Sequence, residues 1–165
     1  MSASDYEAKR RSEAMTNSDQ RSIAIAAESE LIGLLGKEIF FSTGLLGFPS
    51  CQRFNFNRFN PGQGSASPFF ILESADQEVT FSLIHPDVVA RDYPLEISPE
   101  VMSSIDVHSD ADLVAMLIVT VRDRPEDITV NLQGPLIVNT ASLIGMQLVV
   151  DEHPLRYPLL MPAVQ

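Results

Sequence analysis

Cysteine, histidine, basic side chains and long apolar runs are all scarce in this 165-residue chain. The single cysteine, Cys51, cannot close an internal disulfide, which excludes a disulfide-stapled secreted scaffold and points to a reducing compartment. The longest apolar run, Leu113 to Val121 with Thr120 inside it, is far short of the roughly 20 residues that span a bilayer. Lys9, Arg10 and Arg11 are followed by no apolar stretch before Ile23, so no secretory signal is expected and the cytoplasm is the expected location. Basic residues number 11 against 22 acidic ones, a net charge of −11. Such a surface repels nucleic acid and anionic membrane, so neither is expected as a direct partner, and it favours a basic one. Apolar residues are not scarce. At 45% of the chain they supply a real core, and a chain of this length buries about 70% of its unfolded surface.

The first 22 residues contain no Leu, Ile, Val or Phe, and their charges cancel. So little apolar surface cannot offset the entropy of ordering, which predicts a mobile charged tail over residues 1–22 and one folded domain over 23–165. The whole net charge then lies on the domain, as 18 acidic against 7 basic residues. All eleven prolines fall from Pro49 onward, and that spacing leaves no room for a long helix. Between them the apolar pattern has period two. Phe54 and Phe56 alternate with asparagines; Val79, Phe81 and Leu83, and again Ile128, Val130 and Leu132, alternate with polar residues. These are half-buried strands. Phe69–Leu72, Leu113–Val121 (apart from Thr120), Leu136–Val138 and Leu148–Val150 are apolar runs and suit central strands. Ser98-Pro99-Glu100 has the N-cap, first-position proline and first-turn acid of a short helix ending near Ser104. Pro86 to Arg91 has room for one more turn, and Asn60 to Pro68 is a loop by composition. The expected fold is all-β, a small barrel or sandwich with one or two short helical turns.

Catalytic and metal-binding patterns are missing. His85, His108 and His153 have no zinc-site spacing, and no second sulfur ligand exists, so no metal or cofactor is expected. Asp106, Asp110 and Asp112 alternate like a calcium loop, but Ala111 stands at the turn-glycine position and Leu117 at the bidentate glutamate position, leaving an acidic turn before a strand. Asp110 and Asp112 are there within reach of a basic partner. Ser65 lacks the glycine frame of a nucleophile elbow, Cys51 reads as a buried structural thiol, and Gly44-Leu-Leu-Gly47 is too short for a phosphate loop. A hydrolase or isomerase with a site assembled only in space is the rival from another class.

Five segments stand out in order along the chain: Phe41-Ser-Thr-Gly44-Leu-Leu-Gly47-Phe48, Phe69-Phe-Ile-Leu-Glu-Ser74, His85-Pro86 with Asp92-Tyr93, Thr129-Val-Asn131-Leu-Gln-Gly-Pro135-Leu-Ile-Val-Asn139, and Gly145-Met-Gln147. Together, in register over about residues 31–160, they resemble the FliW family of flagellar assembly factors. The resemblance implies a non-enzymatic, barrel-like binding protein of the cytoplasm with two protein partners, flagellin and the RNA-binding translational regulator CsrA. It implies a partner switch, in which export of flagellin frees the protein to antagonise CsrA. A dedicated flagellin chaperone without CsrA regulation is the alternative.

Each position of interest has two readings. Gly44, Gly47 and Phe48 set a turn, with Phe48 pinned to the core, while Leu45 and Leu46 on that turn are contact candidates. Asn131, Gln133 and Asn139 either bond local backbone around Pro135 or display polar groups to a partner. Glu73 replaces the glutamine usual in the family, and Ser42 a proline, while Asp92 and Tyr93 enter as contact candidates through the family turn.

Overall fold

The computed structural model describes residues 21–22, 28–59, 67–89, 93 and 95–159. Its strands are β1 (Arg21–Ser22), β2 (Glu38–Phe41), β3 (Arg53–Arg58), β4 (Phe69–Ser74), β5 (Thr80–Ile84), β6 (Glu96–Ile97), β7 (Leu113–Thr120), β8 (Thr129–Asn139), β9 (Ile144–Gln147) and β10 (Tyr157–Pro158). Two short α-helices, α1 (Pro86–Val89) and α2 (Pro99–Ser104), and 3-10 turns at Glu28–Leu34, Asp110–Asp112 and Pro125–Asp127 complete it. Seven strands close into a barrel in the order β8-β7-β5-β4-β3-β2-β9, with β9 returning to β8. Every neighbouring pair is antiparallel except the β2–β9 seam. Closure leaves those strands no open edge to recruit another chain.

Side-chain alternation decides which residues fill the barrel. On β3, Phe54 and Phe56 are buried while Arg53, Asn55 and Asn57 are exposed. Phe41, Phe70, Leu72, Leu83, Met116 and Val138 join the same interior cluster, and Leu31 and Leu34 of the first 3-10 turn pack into it. The apolar run of β7 is buried on both faces for a definite reason. Val114 and Met116 point inward, while Leu113, Ala115, Leu117 and Val119 pack in a second core with Tyr93, Leu95, Ile97, Ile105 and Val107. That outer layer is the segment bearing β6 and α2. As expected, α2 starts at Ser98, whose Oγ accepts the Val101 N–H at 3.3 Å, with Pro99 in the first turn.

Several expectations need revision. Gly134-Pro135 does not separate two strands; it lies inside β8. The register against β7 slips between the Met116–Leu136 and Ile118–Asn131 pairs. The segment Leu132–Pro135 thereby bulges out, so Pro135 needs no N–H in the ladder. The bulge bonds instead to the chain after β9, through Leu148 N–H to Pro135 O, Val150 N–H to Gln133 O and Leu132 N–H to Pro154 O. Leu148–Val150 is therefore an irregular strap rather than a central strand, and Val149 is exposed on it. Strand β2, which leads into the Gly44 turn, left no clear periodicity, because its alternation (Ile39 and Phe41 in, Glu38 and Phe40 out) covers only four residues. At the N-terminal side, Arg21–Ser22 pair with β6. The remainder of the expected tail through residue 20, and residues 60–66 of the expected loop, lie outside the described residues.

Candidate functional site

Three of the family-like segments meet at one hydrogen-bonded junction. The first is the turn after β2. Gly44 sits at φ +65°, and a Cβ there would lie 2.5 Å from Phe48 O and 2.7 Å from Pro49 backbone atoms, so only glycine fits. Leu45 and Phe48 then exchange backbone bonds of 3.2 and 2.7 Å. Within this turn Leu45 is 2% exposed and Leu46 62%. Leu45 is thus withdrawn as a contact residue, and it, not Phe48, anchors the turn to the core. Phe48 is 37% exposed and lies edge-on to Phe81, ring centroids 5.4 Å apart.

Gln147, at the end of β9, holds this turn to the β8 bulge. Its Oε1 accepts the Leu46 N–H at 2.8 Å and its Nε2 donates to Gly134 O at 3.0 Å. Asn131 Oδ1 accepts the N–H groups of Gln133 and Gly134, both at 2.9 Å, so its carboxamide shapes the bulge and Gln133 is only half-buried beside it. Gly145 makes the seam possible from the other side. A Cβ on it would meet the Phe41 ring at 2.6 Å.

Asn139 is 1% exposed and uses its whole amide. Nδ2 donates to Ile105 O (2.9 Å) and Asp106 O (2.8 Å), and Oδ1 accepts from Ala141 and Ser142 N–H (2.9 and 3.3 Å). A side chain so buried cannot greet a partner; it terminates β8 and ties it to the outer layer. Tyr93, 8% exposed, is likewise an internal strut, its hydroxyl donating to Leu132 O at 2.6 Å and its pKa pushed up to about 12 by burial. Asp92 lies outside the described residues. Asp110 and Asp112 form the 3-10 turn at the start of β7, capped by Ser109 Oγ on Ala111 N–H. Asp110 is exposed, whereas Asp112 is half-buried and its carbonyl holds Thr140.

Glu73 is exposed at the end of β4, beside an acidic hairpin turn containing Asp76 and Glu78. Arg53 donates to Asp76 at 2.6 Å, which raises the guanidinium pKa and holds the carboxyl below its usual range. Neither Glu73 nor Glu78 has an ion-pair partner among the described residues. Ser74 Oγ accepts two N–H groups of this turn, and Gln77 Nε2 donates to Ser50 Oγ at 2.8 Å. That last bond and the Phe48–Phe81 contact place the hairpin against the Leu46 turn. Sequence reasoning missed Gln147, Gln77 and the Phe48–Phe81 pair, because their partners are remote along the chain; the Gly145-Met-Gln147 segment was the only signal for the first.

Among the described residues, no group of His, Cys, Asp and Glu converges to hold a metal ion, and no helix is long and apolar enough to cross a membrane. Cys51 is buried. His85 is also buried, its Nδ1 accepting the Asp87 N–H of α1 at 3.1 Å.

The profile of the FliW protein family matches residues 17–159, which includes the turn, the bulge and the seam together. The chain belongs to the FliW family of flagellar assembly factors. It is 36% identical over 123 residues to the flagellar assembly factor FliW of Natranaerobius thermophilus, covering 73% of this chain and 78% of that one. The FliW of Magnetococcus marinus is 32% identical over 124 residues, 74% of each chain. A crystal structure of the flagellar assembly factor FliW superposes with a TM-score of 0.66 at 22% identity, over 87% of this chain and 100% of that one; it shows the shared FliW barrel.

Proposed function

We propose that this FliW-family protein is a non-enzymatic partner switch of the cytoplasm, binding flagellin and, when freed of it, binding and antagonising CsrA. The observation that carries the reading is the match to the FliW family across 17–159, a span that contains the whole barrel. The charge supports it. CsrA must hold RNA phosphates with basic side chains, and the domain offers 18 acidic residues against 7 basic. A calorimetric titration of the purified protein with CsrA, repeated with saturating flagellin, tests it. Saturable CsrA binding that flagellin abolishes is expected; CsrA binding untouched by flagellin removes the switch.

The alternative reading is a flagellin chaperone without CsrA regulation, which the change to Glu73 would permit. Glu73 is exposed with no ion-pair partner among the described residues, and it offers a charged acceptor where glutamine offers both donor and acceptor. Pull-down from native cytoplasm separates the two, by recovery of flagellin with CsrA or of flagellin alone.

A further inference from the structure

From the turn after β2 and the β4–β5 hairpin we infer an amphipathic docking surface for a basic protein segment with an apolar anchor. The inference rests on the proposed function for the identity of its partner, CsrA. Leu46 is the most exposed large apolar side chain described, and Phe48 is exposed beside it. Their backbone is held rigidly, by the glycine-only position at Gly44 and by Gln147 on the Leu46 N–H. An apolar side chain that protrudes from a fixed turn loses little conformational freedom on binding, which favours contact. The neighbouring hairpin supplies the charge. Glu73, Asp76 and Glu78 stand there with Arg53 the one described cation paired among them, and the Gln77–Ser50 bond and Phe48–Phe81 contact fasten this acidic strip to the turn. Apolar centre and acidic flank complement a partner with an aliphatic or aromatic residue next to Lys or Arg. The outer surface of β7 offers no such face, since it is covered by the β6–α2 layer.

The test is CsrA binding by Leu46→Ser, by the charge reversal Glu73→Lys/Glu78→Lys, and by Glu96→Lys/Glu100→Lys. The last makes the same net charge change on exposed residues of the outer layer. The first two variants should each weaken CsrA binding at least about tenfold with unchanged melting temperature, and the third much less. Equal losses from both charge reversals would reduce the effect to overall charge and overturn the local surface. So would a Leu46→Ser protein that binds CsrA like the wild type, or variants that lose flagellin while keeping CsrA. Wild-type protein that binds no CsrA at all overturns the functional reading as well, so the two failures are told apart.

Discussion

Asn139 shows how a single amide can look like a display group in sequence and be a rivet in structure. Its four bonds reach the Ile105 and Asp106 carbonyls and the Ala141 and Ser142 amides. Asn139→Ala leaves these groups buried without partners and should cost about 2–4 kcal/mol, visible as a lower urea midpoint. Among the described residues Asn131 bonds within its own bulge, so Asn131→Ala should lose stability before it loses partner binding; lost binding in a fully stable protein would make Asn131 a contact residue instead. Tyr93 carries a pH signature. Burial lifts its pKa from 10.0 to about 12, so the folded state keeps the hydroxyl proton where the unfolded chain releases it. Stability from this group is complete below pH about 10 and declines as the pH rises toward 12. Urea midpoints across that window should fall in the wild type and fall less in Tyr93→Phe, which lacks the titrating hydroxyl.

At the scale of elements, the junction of turn, bulge and seam depends on Gln147. Gln147→Ala removes the bonds to Leu46 N–H and Gly134 O and should cost about 1–2 kcal/mol. A more specific readout is amide exchange: the Leu46 N–H should exchange faster in that variant while amides within β3 and β4 keep their protection. If the Leu46 amide exchanges at the wild-type rate, Gln147 does not hold the turn. Gly44→Ala combines a left-handed φ with a backbone collision at 2.5 Å, and should destabilise by roughly 2 kcal/mol or more. Pro135 illustrates the reverse case, a residue that breaks the ladder locally and survives inside β8 because the strap after β9 takes over the bonding.

For the molecule as a whole, charge acts at a distance. The acids are spread over the hairpin at 73–78, the outer layer at 96–112 and the turn at 123–127, with few ion pairs among the described residues. Such a field accelerates encounter with a basic protein and is screened beyond about 8–10 Å at physiological salt. Stopped-flow association with CsrA should slow as salt rises while dissociation changes less. Association rates equal at low and high salt would refute steering.

The local periodicities were legible without coordinates. Period-two alternation marked β3, the apolar run marked β7, Ser98-Pro99 marked the start of α2, and proline spacing forbade long helices. These depend on near neighbours in sequence, which is why the all-β class could be read from the chain alone. The tertiary structure decided what depends on remote partners: that the sheet closes through a parallel seam beside Gly145, and that Gly134-Pro135 forms a bulge rather than a break. It also sorted the contact candidates. Leu45, Tyr93 and Asn139 are internal, while Leu46 and Glu73 are exposed. Adjacent leucines or asparagines of one motif are chemically alike along the chain, and only the packing of distant strands determines which of them faces water.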